Sequence, residues 1–297
     1  MSNEREQLIL KLKEYQKNEF KVVKVQDAWE CMPLLLKYIG DTDQELRDEL
    51  IYTALCEWIT EKEYYNETQL KQILSVLMDE NHLFYKIGSD GDDSVFTRTF
   101  SVLGVVLVLY MHRKKVFLSI NEFNDLKDKL IEYYTSEKDL RGVLPVKGWA
   151  HGGAHGADVM DELVQCHESS EAVVEEALNA FKKVMYNGKY ILCEEEDERI
   201  SVVVFRIIKM KLISNQSMIK WLNELSECIE WQRDRMQEVA RVNSKNFIRC
   251  LYFKVMHYDN TLDIIDEIFR IEEKLNRSIL LNKSLIEQCD REAVSKG

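Results

Sequence analysis

The sequence predicts an all-α protein, a stack of antiparallel helical hairpins of the α-α superhelix, HEAT/armadillo-like kind, and three observations carry that expectation. Apolar residues recur at helical spacing along almost the whole chain. Only 2 prolines and 11 glycines interrupt its 297 residues, too few for the turns of a sandwich or barrel. Hydrophobic residues make up 45% of the chain, with 5 Trp, 13 Tyr and 11 Phe, enough to pack a core and argue against disorder. The short links between helices make neighbours in sequence antiparallel neighbours in space, within a single all-helical domain over 1–297.

Start signals recur along the chain. Asn3 and Glu6 have the spacing of a capping box ahead of Leu8, Leu12 and Tyr15. Pro33 and Gly40 delimit a short helix, and Thr42 with Glu45 repeats the box before Leu46, Leu50 and Trp58. Leu70, Ile73, Leu74 and Leu77 mark the next helix, and Ser119 with Glu122 opens the one carrying Phe123, Leu126, Leu130 and Tyr134. Further periodic stretches cover 171–186, 199–213, 217–237, 241–257 and 261–288, for roughly a dozen helices in all. The β-branched runs 95–102 and 201–205 read as helices too, since neither has a hairpin turn to supply a pairing strand. Asp90 to Ser94 is a loop, with Asp93 or Ser94 as cap and without the glutamate that closes a calcium-binding EF-hand loop.

Charge and cysteine usage narrow the function classes. Forty basic against 52 acidic residues give a formal charge of -12, so the mean field repels nucleic acid and anionic lipid, and neither is an expected partner. The one dense cationic cluster, His112 to Lys115, reads as a solvated helix end. Val102 to Met111 is nearly all apolar, but Arg98 and His112 bracket a stretch well short of the roughly 20 residues of a membrane span. A buried central helix is expected there. Seven scattered cysteines without a CxxC pair read as reduced thiols, and the N-terminus lacks the apolar core of a secretory signal; both imply a cytoplasmic location.

One tract departs from the rest. Five of the eleven glycines lie between 142 and 156, around Lys147-Gly-Trp-Ala-His-Gly-Gly-Ala-His-Gly-Ala-Asp158. If a helix starts near Lys147 or Gly148, then His151, His155 and Asp158 fall at i, i+4 and i+7 on one face, a spacing suited to zinc, iron or manganese. Gly152 stands where the metalloprotease motif HExxH carries its general base, which disfavours that chemistry. The plain alternative is structural: both histidines hydrogen-bonded in a core, Asp158 paired with Arg141 or Lys147, and glycines that only permit close helix crossing. Glu194 to Arg199 reads as an acidic helix start, with Asp197, Glu198 or Arg199 alternatively facing the histidines. Arg98, inside an apolar run, needs a partner from Asp92, Asp93, Asp139 or Asp158.

The segments DSVFTRTFSVL (93–103), FLS (117–119), EKDLRG (137–142), KGWAHGGAHGAD (147–158) and EDERI (196–200) resemble the bacterial domain of unknown function 2785, over about residues 5–280. Lys147, Gly148, Trp149, His151, His155 and Asp158 match its pattern, as do Arg98, Asp139, Arg141, Gly142 and Arg199. The resemblance implies a helical fold and no established activity, substrate or cofactor. Two function classes follow. One is a helical scaffold that binds a protein or peptide, with Lys147, Trp149, Arg98, Arg141 and Arg199 as ligand-binding candidates. The other is a hydrolase-like pocket enzyme, with His151, His155, Asp158 and Glu198 as catalytic candidates and a divalent transition metal on His151, His155 and Asp158. No phosphate-cradling glycine loop or GxSxG elbow supports nucleotide or serine hydrolysis.

Overall fold

A computed structural model describes residues 2–258 and 264–278; the end of the last expected helix, 279–288, lies outside the described residues. The chain divides into two compact units, Met1–Ala180 and Phe181–Gly297. Both are helical, and the only strands among the described residues are two pairs of residues in one hairpin.

The first unit opens with α1 (Ser2–Lys17) and α2 (Val25–Lys37). Asn3 lies inside α1, where its side chain accepts from Gln7, and so forms no capping box. Pro33 sits inside α2 on its exposed edge instead of bounding the helix. Helix α3 (45–61) is wound as π-helix over Glu45–Tyr52 and Glu57–Glu61, with one α-helical turn between. Its start uses Asp43, whose side chain accepts from the Glu45 N–H, and Thr42 plays no part. Leu46, Leu50 and Trp58 are buried as their spacing predicts, and the Trp58 indole donates to the Phe20 carbonyl at 2.8 Å.

Next come α4 (Glu67–Leu77), α5 (Ser94–Lys114), α6 (Ile120–Ser136), the hairpin β1 (Val143–Leu144) and β2 (Gly148–Trp149), α7 (Gly152–Val164) and α8 (Glu171–Met185). The predicted Ser119–Glu122 capping box is present in full, with each side chain accepting from the other residue's N–H. An equivalent box at Asn66–Gln69 opens α4. Helix α5 is the axis of the unit and packs most extensively on α7, with α4 and α3 also against it. It is longer than its apolar run suggests because Arg98 is buried inside it. Among the described residues it alone has the length and composition to cross a membrane, and 83% of its most apolar stretch is buried within the fold. Each Val, Leu or Phe hidden there contributes about 1.5–3 kcal/mol. His112, expected in a solvated end, is fully buried, and its Nδ1 accepts from the Phe117 and Leu118 N–H groups that turn the chain.

The second unit contains α9 (Glu196–Met210), α10 (Asn215–Glu224), α11 (Arg235–Tyr258) and α12 (Ile265–Leu275). Helix α9 starts on its acidic residues as expected, and the β-branched run 201–205 lies within it. The single stretch predicted over 217–237 is broken by a 3-10 turn at Glu227–Glu230. In this unit α11 packs on both α9 and α12.

Gly156 lets α6 and α7 approach closely. A Cβ at Gly156 of α7 would lie 2.1 Å from two ring carbons of Tyr134 on α6, whose hydroxyl donates to the Gly153 carbonyl at 2.9 Å. Gly156→Ala therefore pushes the ring off the helix and lowers stability by about 1–3 kcal/mol, to be read from urea unfolding.

Candidate functional site

The distinctive tract is not helical from Lys147. Residues 143–149 form the hairpin, with Val143 opposite Trp149 and Leu144 opposite Gly148, and α7 begins only at Gly152. Gly148 has a φ of +76°, and a Cβ there would come within 2.6 Å of the Gln44 side chain; both the turn and the close approach require glycine. His151 takes the N-cap position in a left-handed conformation, φ 50° and ψ 38°. Its carbonyl still accepts from the His155 N–H at 2.9 Å, so the i, i+4 relation survives the late helix start.

The histidines come together in a chain of ring contacts. The Trp149 and His151 rings lie 4.1 Å apart at 34°, His151 and His155 meet edge to face at 5.7 Å, and His155 meets Phe100 in the same way at 5.6 Å. Tyr52 continues the contact at 6.2 Å from Phe100. Trp149, His151, His155 and Tyr52 are each partly exposed, so one side of this ladder faces solvent. Asp158 lies one turn beyond His155 on α7 and is half-buried. Among the described residues, no three His, Cys, Asp or Glu side chains gather as a metal site.

Beneath the ladder sits a residue that the sequence did not single out. Arg47, on the first π-wound segment of α3, is fully buried with its guanidinium 4.2 Å from the centre of the Phe96 ring and 4.7 Å from that of Phe100. It donates to the Asp41 carbonyl at 2.8 Å and the Lys147 carbonyl at 2.6 Å, and its Nε lies 2.9 Å from Asp48 Oδ1. Burial lowers the Arg47 pKa and raises that of Asp48, in each case against their mutual attraction. Arg47 was invisible because LRDEL reads as a polar helix face; π-winding, frequent at functional sites, turns it inward.

Arg98 anchors the second side. Its side chain and that of Glu137 are both 0% exposed, joined by two bonds of 2.6 and 2.9 Å. Remaining donors reach the Tyr85 carbonyl and the Ser94 hydroxyl. Its partner is therefore Glu137, none of the four aspartates the sequence offered. Glu137 is the C-cap of α6, where EKD reads only as a helix end. Glu137 also accepts from the Asp139 N–H at 2.9 Å, Asp139 binds Arg141 through both oxygens, and Arg141 reaches the Asp92 carbonyl at 2.7 Å. Asp92 in turn accepts from the N–H and hydroxyl of Ser94, the capping role expected of Asp93 or Ser94. Asp93 instead holds the Lys147 ammonium at 2.7 Å.

The hairpin held by this frame presents apolar side chains outward. Leu144 and Ala150 face inward onto Val95 and Phe96. Val143, Val146 and Trp149 are 45%, 97% and 39% exposed, with Val146 at the tip at φ 69°. A β-branched residue at positive φ is a true outlier, and such strain is retained where surrounding structure enforces it. In the second unit, Glu198 lies in the first turn of α9, paired with Lys254 at 3.1 Å, and Arg199 is exposed beside it. Burial raises the Asp197 pKa, and it raises that of Cys250 next to these carboxylates.

The fold and this geometry define an all-α protein with a clamped hairpin set at a helix start. The chain belongs to the family described as protein of unknown function (DUF2785), whose model matches residues 83–253. That span holds all of Arg98, Glu137, Arg141 and the hairpin. Sesquiterpene synthase 2 of Toona sinensis is 23% identical over 251 residues, covering 72% of this chain and 43% of that protein. The chain thus spans less than half the length of the curated relative it matches. No solved structure matches the chain.

The buried pair yields a test. Arg98→Met leaves Glu137 charged and unpaired in the interior and is expected to cost about 3–5 kcal/mol. The double variant Arg98→Met/Glu137→Leu should recover more than half of that loss in urea unfolding.

Proposed function

We propose that the protein is a binding module, and that the clamped hairpin with its ring ladder is the surface that takes a protein or peptide partner. The single observation that carries this reading is Val146: a β-branched residue held at positive φ on a rigid hairpin tip, 97% exposed, with Val143 and Trp149 also turned to solvent. Strain and exposed apolar area together serve no internal packing, and aromatic side chains rimmed by polar groups are favoured at interfaces. Lys147 and Arg141 are turned to Asp93 and Asp139, so they act here by fixing the hairpin. The formal charge of -12 supports a partner other than nucleic acid or an anionic membrane. Six free cysteines among the described residues support a reducing, cytoplasmic setting. The exchange of packing between helices two apart in the chain, α5 with α7 and α9 with α11, supports a helical-repeat scaffold.

The test separates binding from folding. Val146→Gly suits the backbone at φ 69° and should leave thermal stability equal or higher. The double variant Val146→Gly/Trp149→Ser should lose the partner that wild-type protein captures stoichiometrically in quantitative affinity capture. Equal capture by both proteins would remove this reading.

A second reading, metal-assisted pocket chemistry, is favoured by the two imidazoles 5.7 Å apart. His151, His155 and Asp158 would supply a divalent transition metal with ligands. Metal analysis of protein purified without a histidine tag decides it. A stoichiometric metal lost in His151→Ala/His155→Ala supports the reading, and sub-stoichiometric content ends it. The likeness to a sesquiterpene synthase carries no residue role onto this chain.

A further inference from the structure

Helix α11 carries Gln237, Arg241, Lys245 and Arg249 at successive intervals of four, so they share one face. That face meets the C-terminal end of α12: Arg241 donates to the Leu275 carbonyl at 3.0 Å, and Arg249 is paired with Glu272 at 2.7 Å. Arg277, just past α12, enters from the other side and donates to Gln237, which is 1% exposed and itself fixed on the Cys228 carbonyl. Three cations thus follow one another along this face, with Arg277 beside Arg241 at one end, and the carboxylate nearest the other end, Glu272, is taken by Arg249 and Asn276. Glu238 is paired with Arg235.

Arg241, Lys245 and Arg277 are only partly compensated: Glu238 attracts Arg241 and Glu272 attracts Lys245, each from beyond ion-pair distance. None of the three has a carboxylate within ion-pair distance among the described residues, and Lys245 makes no hydrogen bond there either. The Nε of Arg241 is buried without an acceptor. A buried donor without a partner needs an explanation, and beside two further cations a bound anion is the one that also meets their charge. The two basic neighbours of Lys245, Arg249 and Arg241, add to burial in lowering its pKa, and Arg277 does the same to Arg241. Among the described residues, no anion sits within ion-pair distance to relieve the repulsion concentrated there.

We propose that Arg241, Lys245 and Arg277 form a binding site for a phosphate-class oxyanion. One carboxylate offers a single charge to three cations, whereas a phosphate group carries about -1.5 to -2 and several acceptor oxygens. Arg241 Nε, the Lys245 ammonium and the free donors of Arg277 supply the hydrogen bonds, and the site is independent of the hairpin.

Inorganic phosphate, titrated calorimetrically into the full chain at constant ionic strength, is the probe. Wild type should bind one equivalent, with Lys245→Gln and Arg277→Gln each weakening it about tenfold, as for a lost charge-assisted bond. In phosphate-free buffer Lys245→Gln should melt at the same or a higher temperature, because it removes repulsion; a merely structural lysine would melt lower. Absence of binding, or equal binding by the variants, would overturn the proposal.

Discussion

A guanidinium cannot be taken out of water alone, and the first unit is arranged around that constraint. Arg98 lies in the middle of α5, where apolar contacts surround it, and only a bidentate carboxylate with further oxygen acceptors makes its burial tolerable. Glu137 therefore has to be brought to it, which fixes where α6 ends. Because the same carboxylate accepts from the Asp139 N–H, the path of the chain after α6 is fixed as well. Asp139 then orients Arg141, whose carbonyl accepts from the His151 N–H at 2.9 Å. A single ion pair between α5 and the end of α6 thus determines, through successive hydrogen bonds, where the hairpin leaves the core and where α7 starts.

Arg47 solves the same problem by other means. It relies on two backbone carbonyls and two aromatic faces, with Asp48 alongside, and a weakly hydrated planar cation suits that environment. One of those carbonyls belongs to Lys147 at the turn of the hairpin, so the hairpin is gripped from α3 as well as from α5 and α6. The grip explains how Val146 and His151 are kept at positive φ. Backbone strain of this kind persists only when neighbours over-determine it, and here the neighbours are charged groups whose own burial forbids them to move.

What the sequence made legible follows from range. The Ser119–Glu122 box was readable because all its hydrogen bonds close within four residues. The helical reading of 95–102 and 201–205 held because those runs continue into long apolar tracts. The boxes at Asn3 and Thr42 had the same spacing but fail: α1 starts before Asn3, and Asp43 caps α3. The helix start at 147 failed for a further reason. Gly148 and Val146 adopt positive φ in a turn whose Lys147 carbonyl is held by Arg47 and whose Gly148 lies against Gln44, partners about 100 residues away that nothing local encodes. Arg47 and Glu137 escaped notice since a charged residue beside other charges looks solvated until its distant partner is known.

Charge pairing separates the two units more sharply than helix content does. In the first, each of the four cations that frame the hairpin has a carboxylate within ion-pair distance: Arg98 has Glu137, Arg141 has Asp139, Lys147 has Asp93 and Arg47 has Asp48. Such a set is electrically complete, and its work is to hold backbone in place. In the second, among the described residues, the α11 face has more cations than carboxylates within reach: the end of α12 supplies Glu272, which Arg249 takes, and otherwise a carbonyl and the partial negative charge of its dipole. A complete network stabilises geometry and has no further demand for an ion. An incomplete one retains Coulomb attraction for whatever anion reaches it, and that difference, rather than the number of basic residues, marks a site built to receive charge.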